Sequence, residues 1–371
     1  MMHIGGACVA MDVNTGEVLA MASNPDFTPE ILYNGISNEQ YQDYNNRKVW
    51  TNKAIQDIYS PGSTFKMATA IAGLETGAIT INDRFNDTGV YVTGDDPRLW
   101  PHCWIYDSTG GRYGHGYLNV VGAIEKSCNY FFYETGSRVG IDKIAEYASH
   151  FGLGKKTGIE LYGESKGILA TRESKDIWSS RDTMSAAIGQ STNTFTPIQM
   201  AKYISMIANG GNNIDVTIVK DIMNSDGTNE TKENIERFVS DELGLKDTSS
   251  INDDLVIDQE TLFTVKEGMR RVTEGEGGTA SSVFTDFGVT VGGKTGSVET
   301  GTSINSPVHA WFVGFAPFDN PQIAVVVIVE NGGHGFYTAD VVKAVMQEYF
   351  GTNRNEINQD ISINSETEYF N

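Results

Sequence analysis

Pro61-Gly62-Ser63-Thr64-Phe65-Lys66, continued by MATAIAGLE to Glu75 and closed at Gly77, is the stretch whose reading organises the rest of the chain. Pro61-Gly62 breaks the extended run before it, and from Ser63 the apolar spacing is helical, with Gly77 as a C-terminal stop. The spacing therefore places Ser63 at a helix start, on the positive end of the dipole, with its backbone N–H available to a developing oxyanion. Residues i and i+3 share a helix face, so Lys66 lies beside Ser63 and can take or hold its hydroxyl proton. A lysine acting as a base needs its ammonium pKa lowered, by burial or by a neighbouring cation. Alone, the pattern reads far more readily as a serine N-cap followed by a surface lysine.

Two partner motifs in fixed order change that weighting. Ser127-Cys128-Asn129 follows NVVGAIEK, a short helix capped by Asn119, and precedes YFFYETG, which begins another. At such a junction the Ser127 hydroxyl suits a proton shuttle between Ser63 and a leaving amine, and the Asn129 amide suits a substrate peptide group. The third motif has a decoy. Lys156-Thr157-Gly158 sits between FGLG and IELYGE in a loop-like setting, whereas Lys294-Thr295-Gly296 follows FGVTVGG and precedes the apolar strands AWFVGFAP and IAVVVIVE. On a strand beside the nucleophile, Lys294 and Thr295 can hold a substrate carboxylate. Lys294 is also the candidate cation that depresses Lys66, and Ser297 can give its backbone N–H as a second oxyanion donor beside that of Ser63.

With these three motifs on the page, the chain resembles the transpeptidase domain of a class B penicillin-binding protein, elongation-type or closely related, from a bacterium. GACVAMDVNTGEVLAMAS, NKAIQDIYSPGSTFK, FGLGKKTGIELYGE, AAIGQSTNTFTPIQMA, GEGGTA and HAWFVGFAP extend the likeness from about Gly6 to Phe350. The resemblance implies an α/β penicillin-binding transpeptidase fold, like that of the serine beta-lactamases. In it a central antiparallel five-stranded sheet flanked by helices joins a mainly helical lobe at roughly 67–200. It further implies a peptidoglycan D,D-transpeptidase. A donor stem peptide acylates Ser63, D-alanine leaves, an amine of a neighbouring stem resolves the acyl-enzyme, and beta-lactams trap it. Within that scheme Ser63, Lys66 and Ser127 are catalytic, while Asn129, Lys294, Thr295, Gly296 and Ser297 bind substrate. A serine beta-lactamase shares the motifs but needs a water-activating base, for which no convincing Glu-containing loop is found; a beta-lactam sensor domain is the non-enzymatic alternative.

Composition bounds the remainder. The 371 residues, 39% of them apolar, can bury a large core, and one two-lobed domain is as consistent with them as two domains. The hairpin ACVAMDVNTGEVLAMA alternates apolar residues around an Asn-Thr-Gly turn and should pair in one sheet with the C-terminal strands. A net charge of -21 argues against a nucleic-acid partner, since no basic stripe is present. The acidity gathers from Asn224 to Asp258 and after Phe350, where residues 351–371 lack core periodicity and read as a mobile polar tail. No run approaches the ~20 apolar residues of a membrane span. By resemblance, an N-terminal membrane helix and a pedestal would precede this chain and place catalysis on the extracytoplasmic face of the cytoplasmic membrane. The partners would be stem peptides and a glycosyltransferase, with no organic cofactor.

Cys8, Cys103 and Cys128 cannot all pair, so an odd count outside the cell points to free thiols or a metal. Cys128 alternates with Ser127 and Asn129 and would point behind the cleft, as a small buried apolar residue or as a ligand. Asp87, Asp107, His115 and Cys128 supply two carboxylates, an imidazole and a thiolate, enough for a closed, structural tetrahedral Zn2+ site. Elongation-type members of the family resemble this chain in GHG and in a cysteine within the Ser-x-Asn motif, and some carry zinc there. His102-Cys103 is a rival ligand pair, and Asp95 or Asp96 could replace Asp107. His309 and His334 are expected to support the cleft.

Overall fold

The computed structural model describes residues 5–237, 239, 255–301 and 306–352. The two ends of the described chain meet in one antiparallel sheet. Strands β1 (Gly6–Asp12) and β2 (Val18–Asn24) form the expected hairpin, β3 (Phe85–Asp87) and β4 (Gly116–Leu118) form a small separate pair, and β5 (Gly292–Glu299), β6 (Val308–Ala316) and β7 (Ile323–Val329) complete the main sheet. Its order is β2-β1-β7-β6-β5. β1 pairs with β7 from Gly6↔Val329 to Asp12↔Ile323, so strands some 300 residues apart in sequence lie side by side. The near-continuous apolar run IAVVVIV makes β7 central and buried, whereas β2, half exposed, is an edge. β5 is the other edge.

Six helices position the site: α1 (Lys66–Glu75), α2 (Val120–Glu125), α3 (Asn129–Val139), α4 (Pro197–Ala208), α5 (Gln259–Glu274) and α6 (Ala339–Phe350). Every residue of α4 is buried, as expected of a helix apolar around most of its circumference. It starts at Pro197 behind a Thr196–Gln199 capping box, which satisfies N–H groups that the first turn leaves unpaired. α1 is almost as deeply enclosed, with Lys66 to Gly73 all buried. One core cluster runs from Val9 on β1 through Ile71 on α1 and Phe132 on α3 to Ile204 on α4 and Phe312 on β6, joining the helical and sheet regions without a break.

The nucleophile segment departs in detail from the expected helix. Gly62 to Phe65 form a 3-10 turn, and regular α-helix begins only at Lys66, whose N–H bonds to the Ser63 carbonyl. Gly62 sits at φ 53°, a left-handed conformation that carries the chain out of the preceding extended run at little cost for glycine. In a 3-10 turn residues i and i+3 eclipse, so Lys66 stacks over Ser63 more directly than α-geometry would place it. The acidic stretch after Asn224 falls partly, and the polar tail from residue 353 wholly, outside the described residues.

Candidate active site

The Ser63 turn is wedged between the edge strand and the helical region. The Ser60 hydroxyl donates to the Gly189 carbonyl at 3.0 Å, and Trp311 on β6 donates its indole N–H to the Ser60 carbonyl at 3.0 Å. On β5, a Cβ added to Gly296 would come within 3.0 Å of the Pro61 carbonyl oxygen and of Thr64 Cγ2. Only glycine lets the strand press this closely on the turn that presents Ser63. Thr295 and Lys294 are buried, while Ser297 is exposed on the same strand and its hydroxyl accepts the Gly335 N–H at 2.9 Å.

The Lys66 side chain, wholly buried, does not end on the Ser63 hydroxyl; among the described residues that hydroxyl has no hydrogen-bond partner. Lys66 Nζ donates to the Ser127 carbonyl at 2.8 Å, to Asn129 Oδ1 at 2.7 Å and, at 3.4 Å, to Ser127 Oγ. Lys294 Nζ reaches the same hydroxyl from the strand side at 2.8 Å and also bonds the Thr295 carbonyl at 2.9 Å. Ser127 Oγ therefore bridges the two lysines. Its own backbone is left-handed, φ 52°, a strained conformation for a residue with a Cβ that turns its side chain into the cleft between α2 and α3. The Thr295 hydroxyl shares a 2.7 Å bond with that of Thr279, tying the GEGGTA loop to the strand.

Burial pushes the Lys66 ammonium down to about 8, since the charged form loses its hydration. Burial also pushes Lys294 well below the usual lysine range, and the nearby charge of Lys66 drives it further. Both ammonium groups approach one hydroxyl, so each disfavours the charged form of the other. Two ammonium groups sharing one hydroxyl in a buried site cannot both hold a proton comfortably, which helps to keep a neutral amine within reach of the Ser127 hydroxyl. The decoy stands apart. Lys156 is exposed, and the N–H and hydroxyl of its neighbour Thr157 both bond Glu164 Oε1 at 2.6 Å. His309 accepts the Asn331 N–H on Nδ1 at 3.2 Å, beside the cleft and away from the thiols.

Behind Ser127 lies a second cluster. Asp87, Cys103, His115 and Cys128 bring one ligand atom each to within 4.8 Å of the others. The distances are 3.9 Å between the two sulfurs, 3.3 Å from Cys128 Sγ to Asp87 Oδ2, 3.4 Å from Cys103 Sγ to His115 Nδ1 and 2.7 Å from His115 Nδ1 to Asp87 Oδ2. Tetrahedral zinc with ordinary bond lengths sets its ligand atoms about 3.3–3.8 Å apart, so three of these four spacings fit with little movement. This corrects one expected ligand: Asp107 is outside the cluster. It lies on a short helix, Trp104–Ser108, facing solvent, and pairs with His102 Nδ1 at 2.8 Å, while Cys103, the residue that caps this helix, points inward and is fully buried. Asp96 is spent on Arg98 at the surface, and Asp95 is likewise outside the cluster. The signal that would have favoured Cys103 is donor softness, because thiolate outranks carboxylate for zinc.

A sheet built from both chain ends, a buried helix carrying a Ser-x-x-Lys turn and an edge strand bearing Lys-Thr-Gly together define the penicillin-recognising class of serine proteins. The chain belongs to the penicillin-binding protein transpeptidase domain family, which it matches over residues 6–349. It is 32% identical over 371 aligned residues to peptidoglycan D,D-transpeptidase MrdA of Acinetobacter baumannii, covering 94% of this chain and 51% of that protein. Stage V sporulation protein D of Bacillus subtilis is 34% identical over 331 residues, covering 88% and 45%. The chain thus spans about half the length of these curated relatives. The crystal structure of Pseudomonas aeruginosa PBP2 in complex with WCK 5153 superposes with a TM-score of 0.79 at 33% identity, covering 93% of this chain and 73% of that one.

Proposed function

We propose that this chain is the catalytic domain of a peptidoglycan D,D-transpeptidase acting through a serine acyl-enzyme. The observation that carries the reading is the convergence of Lys66 and Lys294 on Ser127 Oγ, with Lys66 closing the turn that bears Ser63, whose hydroxyl has no hydrogen-bond partner among the described residues. Ser63 Oγ attacks the carbonyl of the penultimate D-alanine of a donor stem while neutral Lys66 takes its proton. The backbone N–H groups of Ser63 and Ser297 receive the oxyanion, Ser127 relays the proton to the departing D-alanine amine, and Asn129, Lys294, Thr295 and Gly296 line the substrate's place. An amine of a second stem then attacks the ester, forming the crosslink and returning Ser63. Beta-lactams enter the same path and stop at the ester. A glycosyltransferase that polymerises the strands is the partner such chemistry requires, and the site of action is the extracytoplasmic face of the cytoplasmic membrane. Among the described residues no helix is long and apolar enough to cross a membrane.

Intact mass after exposure to penicillin, with peptide mapping, tests this. The adduct should sit on Ser63 and vanish in Ser63→Ala with the fold intact; an adduct elsewhere overturns the assignment. Loss of the acyl group within seconds would favour a beta-lactamase, and a stable adduct without any turnover of stem peptides would favour a sensor.

A structural Zn2+ fits the second cluster, held by Asp87, Cys103, His115 and Cys128. Bound there, it would supply no chemistry to the cleft but would fix the backbone from which Ser127 and Asn129 project on either side of Cys128.

A further inference from the structure

Just upstream of Ser63 the chain is fastened to the sheet by a buried charge cluster that the acylation chemistry does not use. Lys53, 2% exposed, places its Nζ 3.2 Å from Asp57 Oδ2 and 3.1 Å from Glu330 Oε1. The Tyr59 hydroxyl donates to the same Glu330 oxygen at 2.8 Å and lies 3.4 Å from Asp57 Oδ2. Lys53, Asp57 and Tyr59 belong to one segment, so Glu330, the residue after β7, is the member that the sheet supplies. Its backbone N–H is held by the Gly5 carbonyl at 2.8 Å, and a Cβ on Gly5 would collide with Glu330 Oε2, so the carboxylate is lodged against bare backbone. A buried ion cluster adds little net stability, because desolvation offsets the attraction, but the geometry it demands is exacting.

What that geometry fixes is the turn of the nucleophile. Tyr59 exchanges both backbone hydrogen bonds with Phe195 at 2.9 Å and stands edge-on to Trp311, ring centres 6.0 Å apart, while Trp311 in turn holds the Ser60 carbonyl. From Ser60 the chain passes through Gly62, whose N–H bonds the Gly189 carbonyl at 3.0 Å, into Ser63. Clearance against β5 is small: a Cβ on Gly62 would come within 2.6 Å of Val298 Cγ2. A turn packed this closely passes a shift at Tyr59 on to Ser63, and a misplacement of ~1 Å at a reacting atom can cost about a hundredfold in rate. Burial and the two carboxylates hold the Tyr59 phenol far above its ordinary pKa, so it remains a donor. We infer that Glu330 is a positioning residue for acylation, which acts through the Tyr59 hydroxyl to set where the Ser63 turn sits against β5. The inference rests on the reading of Ser63 as the nucleophile.

The test mixes the full chain and its variants with penicillin in stopped flow, where the saturation curve separates the limiting acylation rate from the half-saturating concentration. Rates are taken per folded molecule, below the melting transition of every variant. Tyr59→Phe keeps the ring and deletes the hydroxyl; it should slow the limiting rate about tenfold and leave the half-saturating concentration within about twofold, as a loss of alignment without a loss of binding does. Glu330→Ala should do the same, and the double variant should be no more than about twofold slower than Glu330→Ala alone, because both changes cut one link. Glu330→Gln still offers Tyr59 an acceptor oxygen and should recover the rate to within about threefold of wild type. Should Glu330→Ala fail to fold with Lys53 short of a counter-charge, Tyr59→Phe and Glu330→Gln still decide. Full-rate acylation by Tyr59→Phe, losses that multiply in the double variant, or a Glu330→Gln rate down tenfold or more would overturn the positioning role and leave the functional reading intact. Failure of the wild-type chain to form the penicillin ester at all would overturn that reading itself.

Discussion

Single side chains at this site are ranked by what surrounds them. Lys294 and Lys156 occupy identical tripeptides, yet one is fully buried against Ser127 Oγ and the other is exposed on a loop. Lys294→Ala should slow penicillin acylation of Ser63 by at least about a hundredfold, the scale of losing a main electrostatic group, and Lys156→Ala should change it little; stopped-flow acylation rates decide. Lys66 sets the pH dependence. Its neutral form is the base, and burial lowers its pKa to about 8, so the acylation rate should climb as pH rises toward that value and level off above it. A rate flat from pH 6 to 10, or one that falls, would remove Lys66 from the base's role. The Ser63-to-Lys66 relation is local and was legible in the sequence, because an i,i+3 spacing holds for helical turns of either kind. That Lys66 would reach past Ser63 to Asn129 was not legible, since it depends on how α3 docks against α1.

Elements hold those side chains in place through contacts that no local pattern announces. Tyr203 on α4 is fully buried, and its hydroxyl accepts the Ala68 N–H at 2.9 Å, one of the donors that the first turn of α1 leaves without a helical partner. Tyr203→Phe removes the acceptor while keeping the ring, so Ala68 is left buried and unsatisfied; the cost should be about 1–3 kcal/mol. Urea unfolding should show it as a lower midpoint with an unchanged slope, and acylation should slow as well because Ser63 and Lys66 ride on that end of α1. Tyr117→Phe, at a 70% exposed position, is the control and should stay within about 0.5 kcal/mol of wild type. The periodicity of α1 and α4 foretold two buried helices. It was silent on which tyrosine would cap which turn, because a hydrogen bond between helices some 130 residues apart has no signature in either sequence window.

At the scale of the molecule, the Asp87–Cys103–His115–Cys128 cluster joins β3, the 103–115 segment that leads into β4, and the start of α3. Protein purified without added metal should carry close to one zinc per chain. Chelation should then lower the melting temperature and the Ser63 acylation rate together, since the metal would anchor the backbone on either side of Ser127. Cys103→Ser and Cys128→Ser should each reproduce much of that loss, and Cys8→Ser should not. Less than roughly 0.2 zinc per chain with a chelator-insensitive melt would leave the thiols as plain buried side chains. By itself the sequence determined the order and spacing of the three motifs and the pairing of its two ends, which are written in local periodicity and turn residues, and it implied the class of fold through the resemblance that the motif set carries. Only the tertiary structure decided that Cys103 and not Asp107 joins Cys128, and that Lys66 and Lys294 both end on the Ser127 hydroxyl. Each of these depends on which side chains are turned inward together and lose their water, and burial is a property of the packed chain that no single segment contains.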